Sequence, residues 1–182
     1  MKMPRFLRRV PVPGQIRPVL ETDETVLSIA EVESGQLAVT RYGIWFLPAD
    51  EVVLDRTDRI GWETVSKAHW DGKVLGLTIA DVVGTLGGAE YLADRPRRRF
   101  VMVEPRKVTD IIHTRTRAGI VSSTHHALPG GSGWVVLRKI PGRDGLVPQV
   151  RLDPGTPAEG PEIEAAVAEL VAVARAEHAP PV

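Results

Sequence analysis

The sequence predicts an α+β protein in which short strands outnumber helices, and three observations predict this class. Short apolar runs, several of them alternating with polar residues, recur from Val26 to Val103 and are separated by turn-forming residues. Apolar residues take up helical spacing after Pro105, and again over Glu162 to Glu177. Further strand-like runs lie between these two helical segments. The expected order is about seven strands, a helix, three strands and a final helix.

Composition limits the classes of protein to which this chain can belong. Its 182 residues are 43% apolar and 25% charged, enough for a buried core and one domain, or one domain plus a small unit. It has no cysteine, which excludes disulfides, thiolate zinc sites and a cysteine nucleophile. The formal net charge is zero, so the chain as a whole is not steered towards nucleic acid or anionic lipid.

The sequence also predicts a cytoplasmic protein without a bound cofactor. No apolar run approaches the roughly 20 residues that cross a bilayer. The basic N-terminus lacks the apolar centre of a signal peptide, and the lack of cysteine fits a reducing compartment. No cofactor motif stands in the structural context that would confirm it.

The chain divides into three predicted segments. Residues 1–22 are expected to form an irregular arm, because prolines interrupt them and remove backbone donors. Residues 23–119 contain the first strands and a helix that opens at Pro105 and ends near Ala118, with Gly119 as the cap residue. Residues 120–182 are expected to form a strand-strand-strand-helix extension packed on that unit.

Turn chemistry predicts which strands pair in the first unit. Leu37 to Thr40 and Ile44 to Leu47 flank Arg41-Tyr42-Gly43, which indicates a tight hairpin with Gly43 available for a positive φ. Asp71-Gly72 is a strong turn dipeptide between two further runs, so those runs should also pair antiparallel.

The extension has three predicted strands, of which the last should lie at a sheet edge. They cover Ile120 to Leu128, Trp134 to Arg138 and Leu146 to Leu152, and Pro148 removes a backbone donor from the last one. The helix over Glu162 to Glu177 has a broad apolar face. This face is expected to cover the extension, with a homodimer interface as the alternative.

Two stretches resemble a known superfold. Leu37 to Ile44 resembles the hairpin of bacterial pleckstrin-homology-like domains, in which a threonine-containing turn joins two apolar strands. Arg59 to Val65 resembles their Ile-Pro-Trp segment, although Gly61 replaces the usual proline. Seven short antiparallel strands closed by one helix is the layout of that superfold. The resemblance therefore implies a curled antiparallel sheet or barrel with a capping helix over residues of about 25–118.

Most of the chain is similar to an uncharacterised actinobacterial family with a bacterial pleckstrin-homology-like domain. The shared features are the region of Trp62 and Trp70, the stretch Ile120-Val121-Ser122-Ser123, and the final alanine-rich helix. Members of the superfold bind phosphoinositides, peptides or protein surfaces. The resemblance implies a non-enzymatic binding or scaffolding module with a protein partner, and it carries over no functional residue.

An alternative function is binding to an anionic surface, either lipid or nucleic acid. The densest charge run contains Arg95, Arg97, Arg98 and Arg99, and guanidinium groups suit phosphate and carboxylate recognition. The N-terminal arm adds basic residues at Arg5, Arg8 and Arg9. The simpler interpretation of the run is a solvated strand entrance that guards against edge pairing.

A second alternative is a small metal-dependent enzyme that uses His113, His125 or His126. If Ile120 to Leu128 is a strand, however, the two adjacent imidazoles point to opposite faces and cannot readily share one ion. We therefore predict no metal site. The glycine-rich stretch before Trp134 is interpreted as a hairpin turn, because a strand rather than a helix follows it.

Overall fold

The computed structural model describes residues 10–50, 52–105 and 107–179, which form eleven strands and two α-helices. Eight strands precede the first helix and three separate it from the second, which confirms the predicted α+β class. The elements are β1 Val26–Val32, β2 Gly35–Thr40, β3 Gly43–Pro48, β4 Ile60–Gly61, β5 Val65–Trp70, β6 Val74–Leu86, β7 Ala89–Asp94, β8 Arg98–Glu104, α1 Val108–Ala118, β9 Ile120–Leu128, β10 Gly131–Arg138, β11 Val147–Leu152 and α2 Pro161–Glu177.

All eleven strands join one mixed sheet. Its order is β4-β3-β2-β1-β8-β6-β7-β11-β10-β9, with β5 paired to β6. Every pair is antiparallel except β7 with β11. The sheet is open, because its end strands β4 and β9 do not pair with each other. The prediction that the sheet closes into a barrel is therefore wrong.

The long strand β6 connects the two halves of this sheet. Its first half pairs with β5 on one edge and β8 on the other, and its second half pairs with β7. A turn at Gly87 and Gly88, both with positive φ, joins β6 to β7. The segment from Val82 to Tyr91 had no clear pattern in the sequence, and it forms this hairpin. Because β11 adds to β7, the strands after residue 119 extend the same sheet.

Helix α1 covers the inner face of strands β1 to β6 and β8. Val108 and Ile112 of α1 are fully buried against Leu37, Leu75 and Leu77. Helix α2 covers one face of the second half. Its buried residues are Ile163, Val167 and Val171, one turn apart, and they pack on apolar residues of β6, β7, β9, β10 and β11.

The N-terminal segment packs on the outer face of β1, β2 and β3. Residues 10–25 contain no helix or strand, yet Ile16 is fully buried beside Trp45 and Leu47. Pro11, Pro13 and Pro18 interrupt this segment and remove backbone donors from it. They could not show that Ile16 would be buried, because burial depends on distant residues.

Glu24 anchors this segment as a buried carboxylate. It accepts hydrogen bonds from Thr40 Oγ1 at 2.6 Å and Trp45 Nε1 at 3.1 Å, and it forms an ion pair with Arg59 NH1 at 2.8 Å. The side chain of Glu24 is wholly inaccessible to solvent. A buried charge is tolerated when it is paired and hydrogen-bonded in this way.

Two local predictions need correction, the edge position of the strand with Pro148 and the positive φ of Gly43. Strand β11 is not an edge, because it lies between β7 and β10. Its parallel pairing to β7 involves only Gln149 and Val150, so Pro148 precedes that contact. Gly43 lacks a positive φ; a Cβ there would lie 2.2 Å from the Ile60 carbonyl oxygen, so close packing requires glycine. Gly119 follows α1 as predicted, but its φ is −84°.

Gly87→Ala is expected to weaken the docking of α2. Gly87 has φ +56°, and an added Cβ would lie 2.4 Å from the Ala168 backbone nitrogen. Gly88→Ala is the matched control, because Gly88 has φ +75° and nothing within 4 Å of its Cβ position. Each substitution costs about 1 kcal/mol of backbone strain, and only Gly87→Ala adds a clash with helix backbone. Equal losses of unfolding free energy in the two variants, measured by urea unfolding, would contradict the close contact between Gly87 and α2.

Candidate functional site

Arg138 is the last residue of β10, a strand flanked by β9 and β11. Alternation along β10 places Trp134, Val136 and Arg138 on the face opposite to Val135, which packs under α2. Arg138 is only 5% exposed. A cation in the middle of a sheet is therefore removed from water.

The guanidinium of Arg138 is poorly satisfied by the residues around it. Its NH1 donates to the Trp62 carbonyl at 3.3 Å, whereas its Nε is buried and has no hydrogen-bond partner in the described part of the chain. No carboxylate in the described part of the chain lies within ion-pair distance of it. Burial lowers the pKa of Arg138 and the nearby charge of Arg151 lowers it further, while Glu63 opposes both. An arginine still stays charged at neutral pH, so its positive charge remains largely uncompensated.

A cavity of about 390 Å³ lies against Arg138, and its charged lining is mainly cationic. We call it the basic cavity. Five cationic side chains and one carboxylate line it: Arg41, Arg115, Arg138, Lys139 and Arg143, with Glu63. A concave site lined by charges of one sign concentrates counter-ions of the other sign.

Two of these cations are held by ion pairs outside the cavity. Arg41 pairs with Asp23 at 3.1 Å, and Arg143 pairs with Glu90 at 2.7 Å. Arg115 and Lys139 form no ion pair within the described residues. The cavity therefore offers three cations without a carboxylate partner, counting Arg138.

The walls of the basic cavity come from three parts of the fold. The end of α1 supplies Arg115, in the last helical turn where the helix dipole favours a cation. The Lys139 amide donates to the Gly119 carbonyl at 2.8 Å and ties the β10–β11 loop to this helix end. In that loop Gly142 adopts φ +80° beside the ring of Tyr42. The turn after β4 contributes Trp62 and Glu63.

A second cavity, of about 560 Å³, also has Arg138 in its wall. Its other cations are Lys67 and Arg151, and Trp134 forms part of its apolar wall. Arg151 NH1 pairs with Asp94, whereas its NH2 is buried and has no hydrogen-bond partner among the residues that the structure describes. This cavity also contains the carboxylates of Asp94 and Asp153 and is thus less cationic than the basic cavity.

The predicted arginine run is not gathered into one patch. Arg95 pairs with Asp81, and Arg98 stacks over the rings of Phe46 and Phe100 at 5.6 and 5.2 Å. Arg97 lies over Gly76, and Arg99 is exposed opposite the same glycine. Arg5, Arg8 and Arg9 lie outside the described residues.

The structure does not bring the three histidines together. His125 Nε2 lies 2.6 Å from Asp153 Oδ2, and its ring is tilted by 53° against the ring of Trp134, with the centroids 5.0 Å apart. His126 follows it on β9 and faces the other way, while His113 is exposed on α1. Within residues 10–50, 52–105 and 107–179, no three histidines or carboxylates form a group that could hold a metal ion.

Asp153 is expected to titrate below its ordinary range. The hydrogen bond from Ser132 Oγ, at 2.5 Å, is the larger cause that lowers its pKa below 3.8, and the bond from His125 is the next. Its stabilising contribution is present above pH 3.8 and is lost as pH falls through the lowered pKa. Carboxyl-carbon NMR should show Ser132→Ala raising this pKa more than His125→Gln does; the reverse order would contradict the assignment.

Comparison with known proteins gave no match to a family model, to a curated protein or to a solved structure. Neither helix in the described residues combines the length and apolar character needed to cross a bilayer. The basic cavity therefore has to be interpreted from its own chemistry.

Sequence reasoning did not select Arg138, Arg115 or Lys139. The only available signal was Arg138 at the end of the apolar run that begins at Trp134. An arginine there could equally have marked the exposed end of a strand. Its burial arises because β10 lies between two other strands, which is a long-range property.

Proposed function

We propose that this protein is a non-enzymatic binding module that holds an anionic group, a carboxylate or phosphate, in the basic cavity. The observation that carries the proposal is the buried guanidinium of Arg138, which has a free Nε and no carboxylate partner in the described chain. An uncompensated buried cation destabilises a protein unless something neutralises it. A bound anion in the basic cavity would supply the missing countercharge.

The chemistry of the cavity fits such a group. A guanidinium presents a planar fork of donors that matches the paired oxygens of carboxylate or phosphate. Arg115 and Lys139 line the same cavity and add positive charge, and neither has an ion pair among the described residues. About 390 Å³ is within the usual size range of ligand sites. We propose that a protein partner presents the anionic group on one of its side chains.

The arrangement of strands in residues 23–119 supports the proposal that this unit is a pleckstrin-homology-like domain. Its strands follow the order β4-β3-β2-β1-β8-β6-β5, with α1 packed on the inner face. Strand β7 departs from a seven-stranded layout, because it leaves this unit to pair with β11. The proposal retains the resemblance to the actinobacterial family and a cytoplasmic location.

Ser132, Asp153 and His125 form a hydrogen-bonded cluster whose order differs from that of a catalytic triad. Asp153 lies between Ser132 and His125 and accepts hydrogen bonds from both. A histidine that activates a serine would itself lie between the serine and the carboxylate. The proposal therefore assigns these three residues to the local packing of β9, β10 and the chain after β11.

Anionic-surface binding is the second candidate, and one observation favours it. Arg97 and Arg99 are exposed and form no ion pair among the described residues. Together with Arg5, Arg8 and Arg9 they would contact lipid phosphates or nucleic acid. Such binding would weaken steeply as salt concentration rises.

Calorimetric titration with inorganic phosphate, and separately with acetate, at constant ionic strength tests the proposal. Wild type should bind one anion per chain, and Lys139→Ser with Arg115→Ser should weaken binding by roughly tenfold or more. The matched control is Arg97→Ser with Arg99→Ser, which also removes two cations and should leave the affinity unchanged. The proposal is overturned if phosphate binding is lost only in the control pair. It is also overturned if binding is lost only in Arg151→Met, because Arg151 lines the second cavity and not the basic cavity.

A further inference from the structure

Strand β9 forms one end of the eleven-stranded sheet. It pairs with β10 on one side, and no described strand pairs with its other side. Most of its residues are exposed, and only Leu128 is buried. Its outward backbone groups therefore form a row of donors and acceptors without main-chain partners in the described chain.

This edge lacks most of the features that protect exposed strands from pairing. Over Ile120 to Leu128 there is no proline, lysine, arginine or carboxylate. The one irregularity is a register shift near Val121, and pairing with β10 is regular from Ser122 onwards. By contrast, β4 has only two residues, and β5 carries Lys67 and a bulge. Protection is thus weakest at β9.

We propose that β9 pairs antiparallel with β9 of a second copy of this chain, about a two-fold axis at Thr124. In this register Thr124 faces its own counterpart. Ser123 faces His125 of the second copy, and Ser122 faces its His126. A two-fold interface uses the same patch on both copies, and an antiparallel pair of identical strands satisfies that requirement.

The sequence of the edge favours this register. Each imidazole meets a serine hydroxyl, which can donate to it or accept from it. Moving the axis to His125 would instead place two imidazoles directly opposite each other. Alternation keeps Ser123 and His125 on the face of Trp134, and Ser122 and His126 on the face of α2, so every cross-pair joins residues on the same face.

Charges at the two ends of β9 are complementary in the same arrangement. Arg117 is exposed just before the strand begins. At the other end, Glu159 and Glu162 line a groove beside Pro129, which follows the strand. An antiparallel pair sets the basic end of each copy beside the acidic end of the other. This complementarity identifies a second copy as the occupant rather than an unrelated peptide.

Sedimentation velocity over a concentration series tests the pairing. Wild type should form a dimer, and Thr124→Lys should convert it to monomer because two ammonium groups would meet on the axis. Thr114→Lys is the matched control, since Thr114 is also exposed but lies on α1. Val173→Asp tests the alternative dimer through α2, because Val173 is 51% exposed on that helix; it should leave the dimer intact.

Disulfide formation reports the register directly, because the chain contains no cysteine. Mild oxidation of Thr124→Cys should give a covalent dimer faster than oxidation of Thr114→Cys. Three results would each overturn the proposal. The wild type could be monomeric, or the two cysteine variants could crosslink equally. The dimer could also be lost in Val173→Asp but kept in Thr124→Lys. If Thr124→Lys unfolds, judged by circular dichroism, the crosslinking comparison decides alone.

Discussion

Arg138→Met is expected to stabilise the free protein and to weaken its affinity for anions. Methionine is similar in length to arginine and fills the same space without a charge. The unfolding free energy should rise by about 1–3 kcal/mol, because replacing buried ionic groups with apolar ones of similar volume is often stabilising. Phosphate affinity should fall by roughly 10- to 100-fold, the usual loss for a charge-assisted hydrogen bond. Urea unfolding and calorimetry measure the two effects.

The opposite signs of these effects distinguish a binding residue from a structural one. A guanidinium retained for the fold, through its bond to the Trp62 carbonyl, would make Arg138→Met destabilising. Arg175→Met is the control, because Arg175 is exposed on α2 and lies outside the basic cavity. It should change neither stability nor affinity. Destabilisation of the Arg138 variant with unchanged phosphate binding would contradict the assignment.

Glu24→Ala is expected to destabilise the protein more than any other single change proposed. It would leave Thr40, Trp45 and Arg59 without their shared acceptor in a buried site. Removing one partner of a buried ion pair costs about 3–5 kcal/mol. For a chain of this size that loss lowers Tm by roughly 10 °C. Calorimetric melting measures the shift.

Asp23→Ala is the matched control for Glu24. Asp23 is the neighbouring acidic residue and also has two partners, Arg41 and Tyr42, but all its contacts are exposed. Water replaces exposed contacts at little cost, so the Tm of this variant should stay close to that of wild type. Similar Tm losses in the two variants would show that Glu24 does not hold the N-terminal segment in place.

Local patterns predicted the elements of the fold well. Alternation and turn dipeptides placed the hairpins at Arg41-Tyr42 and Asp71-Gly72, and helical spacing placed α1 and α2. These features depend on residues close together in the chain. Proline was less informative. Pro148 suggested that β11 lies at a sheet edge, yet β11 lies between β7 and β10. The pairing with β7 begins only at Gln149, so the missing amide of Pro148 does not prevent it.

Long-range pairing decided what the sequence could not predict. The parallel contact of β11 with β7 joins the two predicted units, and nothing local to either strand encodes it. The same contact fixes β10 inside the sheet, which buries Arg138. The predicted arginine run was visible because its members are adjacent in sequence. The basic cavity combines Trp62, Arg115 and Lys139 from distant segments, so no window of sequence contains it.

The most direct test of the central claim observes the Nε–H group of Arg138 during an anion titration. In arginine-selective ¹⁵N NMR spectra, the resonance missing from Arg138→Met identifies this group in wild type. When phosphate is added at constant ionic strength, this resonance should shift until it saturates, and the Nε proton should exchange more slowly with water. The phosphate concentration at half of the shift should agree with the dissociation constant from calorimetry. An Arg138 resonance that stays unchanged while phosphate binds would contradict the claim that this buried cation receives the anion.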